Sequence, residues 1–154
     1  MELSSFLKPE AVRVLGQVSS KKRLFQQLGQ IISSCCDVNA DEAFDALQER
    51  ESLGPTGVGH GVALPHARLP GLTGINGAFL RLLKPLDYGS VDRQPVDLVF
   101  ALFAPEDTGV EHLKALALVS RTMRDKDICA KLRANDDPVA LHALLTEGRA
   151  SQAA

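Results

Sequence analysis

"PVDLVFALFA" (Pro95–Ala104) decides the fold class. From Val96 to Ala104 only Asp97 is polar. A short, almost wholly apolar run of this kind is a strand with both faces buried. Upstream, "PLDYGSVDRQ" (Pro85–Gln94) supplies turn residues, and "INGAFLRLL" (Ile75–Leu83) reads as a second strand. Before that, "VALPHARL" (Val62–Leu69) reads as a short strand running into a loop, because Leu64 is held extended by the proline after it. Downstream, "PEDTGVEHLKALALVSRTMRD" (Pro105–Asp125) reads as a helix. Thr108 and Glu111 stand at capping-box spacing, and Leu113, Leu116, Ala117, Ser120 and Met123 form one stripe. A shorter helix is expected around Ile128 to Arg133. A last one starts at Asp137-Pro138, a cap followed by proline at the first helical position, with Leu141, Leu144 and Leu145 as its apolar side.

The N-terminal half carries two more helices. Ser19 and Ser20 are N-cap residues before Leu24, Phe25, Leu28, Ile31, Ile32 and Cys35, a one-faced helical spacing. Asn39 and Glu42 have capping-box spacing, with Val38 and Ala43 as a hydrophobic staple, and Gly54 suits the position that stops the helix. The order is two helices, then strands, then helices. That is not a regular βαβ alternation, so the expectation is an α/β domain with a mixed β-sheet and helices packed on it. Residues 1–147 form a single domain and "GRASQAA" (residues 148–154) a frayed tail.

A chain of 154 residues fits one domain, and 45% hydrophobic with 23% charged residues is an ordinary globular composition. The net charge of −2 gives no electrostatic case for nucleic acid. The lack of Trp and the single Tyr argue against a base-stacking platform. Cys35 and Cys36 are neighbours, Cys129 stands alone and no CxxC occurs, so free thiols in a reducing compartment are expected. "MELSSFLKPEAVRVLG" (Met1–Gly16) has no basic region followed by an apolar run, and no segment approaches the ~20 apolar residues of a membrane helix. The chain therefore reads as soluble and cytoplasmic, with no membrane insertion.

Chemistry concentrates in "GPTGVGHGVALPHARL" (Gly54–Leu69), where Gly54, Gly57, Gly59 and Gly61 fall within eight positions. Both nucleotide fingerprints fail: no Lys follows the last glycine, and Val62 stands where GxGxxG needs its third. Backbone amides in such a run can still hold an anion. A plain turn between helix and strand is the alternative. A metal loop fails on spacing, since His60 and His66 would lie roughly 20 Å apart in an extended chain, and there is neither HExxH nor a finger quartet.

Histidine as nucleophile fits better. A neutral imidazole can attack phosphorus and hold the phosphoryl group covalently. It needs a rigid mount, donors for the phosphoryl oxygens and a partner that keeps one ring nitrogen free. Pro65 stiffens the approach to His66, and Arg50 places a planar donor fork at a helix end. His112 sits in the first turn of the helix after the long strand, where α/β folds commonly bind anions. Each also has a plainer reading. Arg50 can pair with Glu49 or Glu51, His112 can be an exposed first-turn residue, His60 loop filler, and His142 a surface residue on the polar side of the last helix.

"ERESLGPTGVGHGVALPHARL" (Glu49–Leu69) and "LLKPLDYGSVDRQPVDLVFALFAPEDTGVEHLKALALVSRTMRD" (Leu82–Asp125) resemble the enzyme IIA domains of the bacterial phosphoenolpyruvate-dependent phosphotransferase system, of the fructose–mannitol–nitrogen type. The resemblance runs from about Leu3 to Thr146. It implies a mixed β-sheet flanked by helices on both faces. It further implies that His66 takes a phosphoryl group on Nε2 from a phosphorylated HPr-like carrier, without a metal or other cofactor. His112 in "EHL" matches the second histidine of that site, and Arg50 the arginine beside it. The amides of Thr56, Gly57, Val58 and Gly59 are expected to steady the oxygens. "VSSKKRLFQQLGQII" (Val18–Ile32) resembles the nitrogen-regulatory branch, as does the lack of an attached IIB, HPr-like or membrane segment. That implies regulatory target proteins in nitrogen, carbon or potassium physiology. A sugar-specific IIA that passes phosphate to a IIB cysteine is the alternative, and a module that senses an anion without covalent transfer is a third reading. Pro55 stands where the family commonly has Ser, and His60 where it commonly has Asn.

Overall fold

The computed structural model describes the backbone of residues 1–153 and side chains through residue 147. Two 3-10 turns, Leu3–Ser5 and Pro9–Ala11, lead into β1 (Val12–Leu15). Two helices follow, α1 (Lys21–Cys36) and α2 (Ala40–Ser52). Then come β2 (Gly57–Gly59), β3 (Val62–Ala63), β4 (His66–Leu69), β5 (Asn76–Leu86) and β6 (Val96–Pro105). The chain ends with α3 (Val110–Met123), α4 (Lys126–Arg133) and α5 (Pro138–Ala153).

The strands form one sheet in the order β1-β5-β6-β3-β2, with β4 also paired to β6. β1 is parallel to β5, β5 antiparallel to β6, and β3 and β4 both parallel to β6. The sheet is therefore mixed, as the element order requires. β6 is its spine. Leu98 through Ala104 are wholly buried, which needs cover on both faces.

β3 and β4 are one extended run interrupted at Leu64-Pro65. Their registers continue along β6, from Ala63↔Val99 to His66↔Leu102. Pro65 has no N–H to give the ladder, but its carbonyl accepts from Leu102 N–H at 3.0 Å. The expected loop after Pro65 is thus strand, and His66 is its first residue.

The helices form for the reasons their spacing indicates. Ser20 caps α1 by accepting from Arg23 N–H, and Asn39 caps α2 by accepting from Glu42 N–H. Leu24, Phe25, Leu28, Ile31 and Ile32 are the buried face of α1. α1 crosses α2 closely at Gly29, where a Cβ would lie 2.7 Å from the Ala40 carbonyl oxygen. Val139 N–H donates to Asp137, and Leu141 and Leu145 are buried under α5.

Several expectations are corrected. The Thr108–Glu111 capping box does not form: α3 starts at Val110 after Gly109, which offers no side-chain cap, and the Thr108 hydroxyl donates to the Pro105 carbonyl. The stripe on α3 is also rotated. His112, Ala115, Leu118, Val119, Thr122 and Met123 face inward, whereas Leu113 is 65% exposed. The outward face carries Glu111, Lys114 and Arg121 but also Val110, Leu113 and Ala117, so the apolar residues of this helix spread beyond one stripe. His142 is not a free surface residue; it is half-buried, and its Nε2 donates to the Leu7 carbonyl at 2.9 Å, tying α5 to the N-terminal segment. α5 continues through the boundary at residue 147, and Ala154 lies outside the described residues. β1 and β2, which join the two edges of the sheet, are additional to the expected strands.

β2 and β3 form an antiparallel hairpin with Gly59 opposite Val62. The two residues between them, His60 and Gly61, have φ of 57° and 79°. Two successive positive φ values mark a type I′ connection, whose preferred sequence is Asn-Gly. His60 is therefore a turn residue in a strained conformation, and its amide donates to Asp92 at 2.9 Å. Replacement of His60 by Asn is expected to stabilise the protein by about 0.5 kcal/mol, or about 1–2 °C in Tm. A lower Tm on thermal unfolding would contradict that account of the turn.

Candidate active site

His66 opens β4, and its backbone register is set by β6. Its Nδ1 lies 2.9 Å from the Leu64 carbonyl oxygen. A carbonyl only accepts, so Nδ1 carries the proton and Nε2 keeps its lone pair. Arg50 Nε–H points at that Nε2 from 3.3 Å, while Arg50 Nη1 donates to the Gly54 carbonyl at 3.0 Å. Arg50 therefore turns toward His66 and not to Glu49 or Glu51. Burial lowers the His66 pKa and outweighs the opposing pull of the Leu64 bond; the Arg50 charge lowers it further, against Glu51. The imidazole is thus neutral at pH 7.

His112, on the first turn of α3, stacks edge-on against His66 with ring centroids 5.8 Å apart. It is only 7% exposed, and its Nε2 is buried with no hydrogen-bond partner among the described residues. Burial lowers its pKa, with His66 and Arg68 acting in the same direction. A buried imidazole nitrogen without a partner is costly.

Arg50, His66, Arg68, His112, Leu53 and Leu113 line one cleft between α2, β4 and α3. Arg68 is a further cation of this cleft, absent from the sequence reading. Its signal was legible: a residue two positions along a strand shares the face of His66. Reading Pro65-His66 as the start of a loop hid it. Arg68 Nη1 donates to the Glu106 carbonyl, which steadies the guanidinium at the rim.

The loop amides do not take the expected place. Thr56 N–H is bound by the Glu51 carboxylate, Gly57–Gly59 are strand β2, and none of Thr56, Gly57, Val58 or Gly59 lines the cleft. The glycines serve packing instead. A Cβ on Gly57 would lie 2.1 Å from Ser90 Oγ. Pro55 is exposed and outside the cleft, so its missing N–H takes nothing from the group around His66. Among the described residues no three His, Cys, Asp or Glu side chains gather in a metal-binding arrangement.

The arrangement is chemically specific. A neutral imidazole whose unprotonated Nε2 meets Arg50 faces a cleft lined by two guanidinium groups, a second imidazole and Glu49. It suits a nucleophile attacking an electrophilic anion, with donors ready for the oxygens.

Residues 5–148 match the family described as the phosphoenolpyruvate-dependent sugar phosphotransferase system, EIIA 2. The chain belongs to this family. It is 46% identical over 145 residues to a nitrogen regulatory protein of Bradyrhizobium diazoefficiens, covering 94% of this chain and 95% of that one. The crystal structure of the nitrogen regulatory protein IIA-Ntr from Neisseria meningitidis superposes with a TM-score of 0.86 at 34% identity, over 94% of this chain and 99% of the other. The IIA mannitol structure from Escherichia coli shares the fold at 18% identity, with a TM-score of 0.71 over 87% of this chain and 96% of the other. Family and relatives together make this chain a phosphotransferase-system phosphocarrier of the nitrogen-regulatory type. No helix among the described residues is long and apolar enough to cross a membrane.

Proposed function

We propose that His66 is the residue that carries the phosphoryl group, on Nε2, and that a phosphohistidine of an HPr-like protein donates it. The observation that carries this reading is the hydrogen bond from His66 Nδ1–H to the Leu64 carbonyl, which leaves Nε2 as the nucleophilic nitrogen. In the transfer, the Nε2 lone pair forms a bond to phosphorus as the donor's P–N bond breaks. The donor ring, protonated on its other nitrogen, takes back that electron pair and leaves as neutral imidazole. The positive charge that develops on the His66 ring is met by the Leu64 carbonyl at Nδ1–H. The phosphoryl group arrives between Arg50 and His112. The guanidinium and the His112 N–H then donate to its equatorial oxygens, and positioning and charge account for most of the rate.

The rim supports a protein as donor. Leu53 is 81% exposed and Leu113 65%, an apolar edge beside the cations of the cleft. Such an edge suits a docking carrier whose apolar surface surrounds its own phosphohistidine. Phosphorylation adds about −1.5 to −2 charges at this rim. That change gives the surface two states, and regulatory targets are expected to distinguish them.

The test is reconstitution with phosphoenolpyruvate, enzyme I and the HPr-like carrier. The protein is expected to gain one acid-labile, base-stable phosphate; no uptake under conditions that phosphorylate the carrier would overturn the reading. The rate carries a pH signature. His66 must be neutral to react, and its pKa lies below the ordinary 6.5. Uptake, corrected for donor titration, should be flat from pH 8 to below pH 6.5 and then fall. The same shift acts on stability. In the unfolded chain the imidazole protonates first as pH drops through about 6.5, so the native state loses relative stability from there down through the lowered folded value. An acid limb centred above 6.5 would contradict the buried, neutral assignment.

A further inference from the structure

Glu51 follows Arg50 at the end of α2, yet it lines no part of the cleft. Its side chain is only 8% exposed. The carboxylate accepts from Lys21 Nζ at 2.9 Å, from Thr56 N–H at 3.1 Å and from the Thr56 hydroxyl at 2.5 Å. Tyr88 OH lies 2.7 Å from Thr56 Oγ1 and 3.3 Å from Glu51. Burial pushes the Tyr88 hydroxyl far up, so it stays protonated and donates. Lys21 also sits over the Tyr88 ring, 4.4 Å from its centroid. Four separate chain segments meet on this carboxylate: the start of α1, the end of α2, the approach to β2 and the β5–β6 connection.

Two paths run from this cluster to the reacting nitrogen. In the first, Glu51 holds Thr56 and so closes the turn that contains Gly54, whose carbonyl receives Arg50 Nη1 while Arg50 Nε faces His66. In the second, the Thr56 carbonyl accepts from Leu64 N–H at 2.9 Å. The Leu64 carbonyl in turn accepts from His66 Nδ1–H. Thr56 therefore stands behind both groups that define the nucleophile. A buried ion pair is a poor source of net stability, but it registers the segments that meet on it.

We propose that Glu51, clamped by Lys21, Thr56 and Tyr88, is a positioning residue that fixes the Nδ1–H tautomer of His66 and the aim of the Arg50 fork. This rests on the reading of His66 as phosphoryl acceptor. Glu51→Gln puts an amide donor among groups that all donate. Phosphate uptake is expected to fall about 10–100-fold. In unphosphorylated protein, the His66 ring ¹⁵N shifts should move from one tautomer to a mixture. Thr56→Ser retains both donors and is expected to stay within about twofold of wild type, whereas Thr56→Val should lose about 10-fold.

A folded Glu51→Gln protein with near-normal uptake and His66 still wholly Nδ1–H overturns the proposal. If Glu51→Gln does not fold, Tyr88→Phe decides, because it removes one hydroxyl and keeps the ring: a shifted tautomer balance supports the network and an unchanged one overturns it. The tautomer measurement needs no phosphate donor. A wild type that takes up no phosphate, together with a Glu51 variant that loses the tautomer, supports the network and strikes the carrier reading instead.

Discussion

A His66→Gln protein is expected to take up no phosphate from the phosphorylated carrier while keeping the wild-type Tm within a few degrees. The substitution removes the nucleophilic lone pair, and glutamine has no nitrogen able to replace it. The scaffold does not depend on the ring. His66 is half-buried at the cleft surface, and its strand is held by backbone bonds to β6. The measurement is labelling from phosphoenolpyruvate beside thermal unfolding of the same samples. Labelling of the variant at the wild-type rate would mean that another residue carries the phosphate.

Arg50 carries the second large effect. Its truncation to Ala is expected to slow uptake about 10²–10³-fold, the usual cost of losing one preorganised donor to developing charge. Lys should recover only part of this. One ammonium cannot hold the Gly54 carbonyl and face Nε2 as a planar fork does. The Ala variant should also show its acid limb at higher pH, because the Arg50 charge is one of the causes that lower the His66 pKa. Single-turnover kinetics across pH would read both. An unchanged acid limb with a reduced rate would assign Arg50 to docking and not to the imidazole.

What the sequence made legible follows from how strong each local signal is. β6 is recognisable because a short run with a single polar member, rich in Val and Phe and flanked by turn residues, fits a covered strand better than a helix. α1 is recognisable because its cap and its apolar stripe agree. β1 and β2 are not, since strands of four and three residues carry no periodicity, and β2 is written largely in glycine. α3 misleads for a reason tied to function. Leu113 looks like core because it is apolar, but it is exposed and lines the cleft, which Leu116 also reaches from the edge of the core. The glycine run reads as an anion cradle by composition. Its amides are instead committed to a hairpin and to Glu51, which no spacing rule connects to Tyr88 across 37 residues. His66, His112 and Arg50 stand out as candidates by residue type, but only the family resemblance joins them into one site. Arg68 is nameable only once His66 is placed on a strand, and Glu51 not at all, because its role arises from tertiary approach.

Everything at this site turns on which atom is phosphorylated. Protein labelled with ¹⁵N in its histidine rings, phosphorylated in place and examined by one-bond ¹⁵N–³¹P coupling, reads that atom directly. A single coupling is expected, at Nε2 of His66, with Nδ1 of the same ring still protonated toward the Leu64 carbonyl. A coupling at Nδ1 of His66, or at either nitrogen of His112, would contradict it.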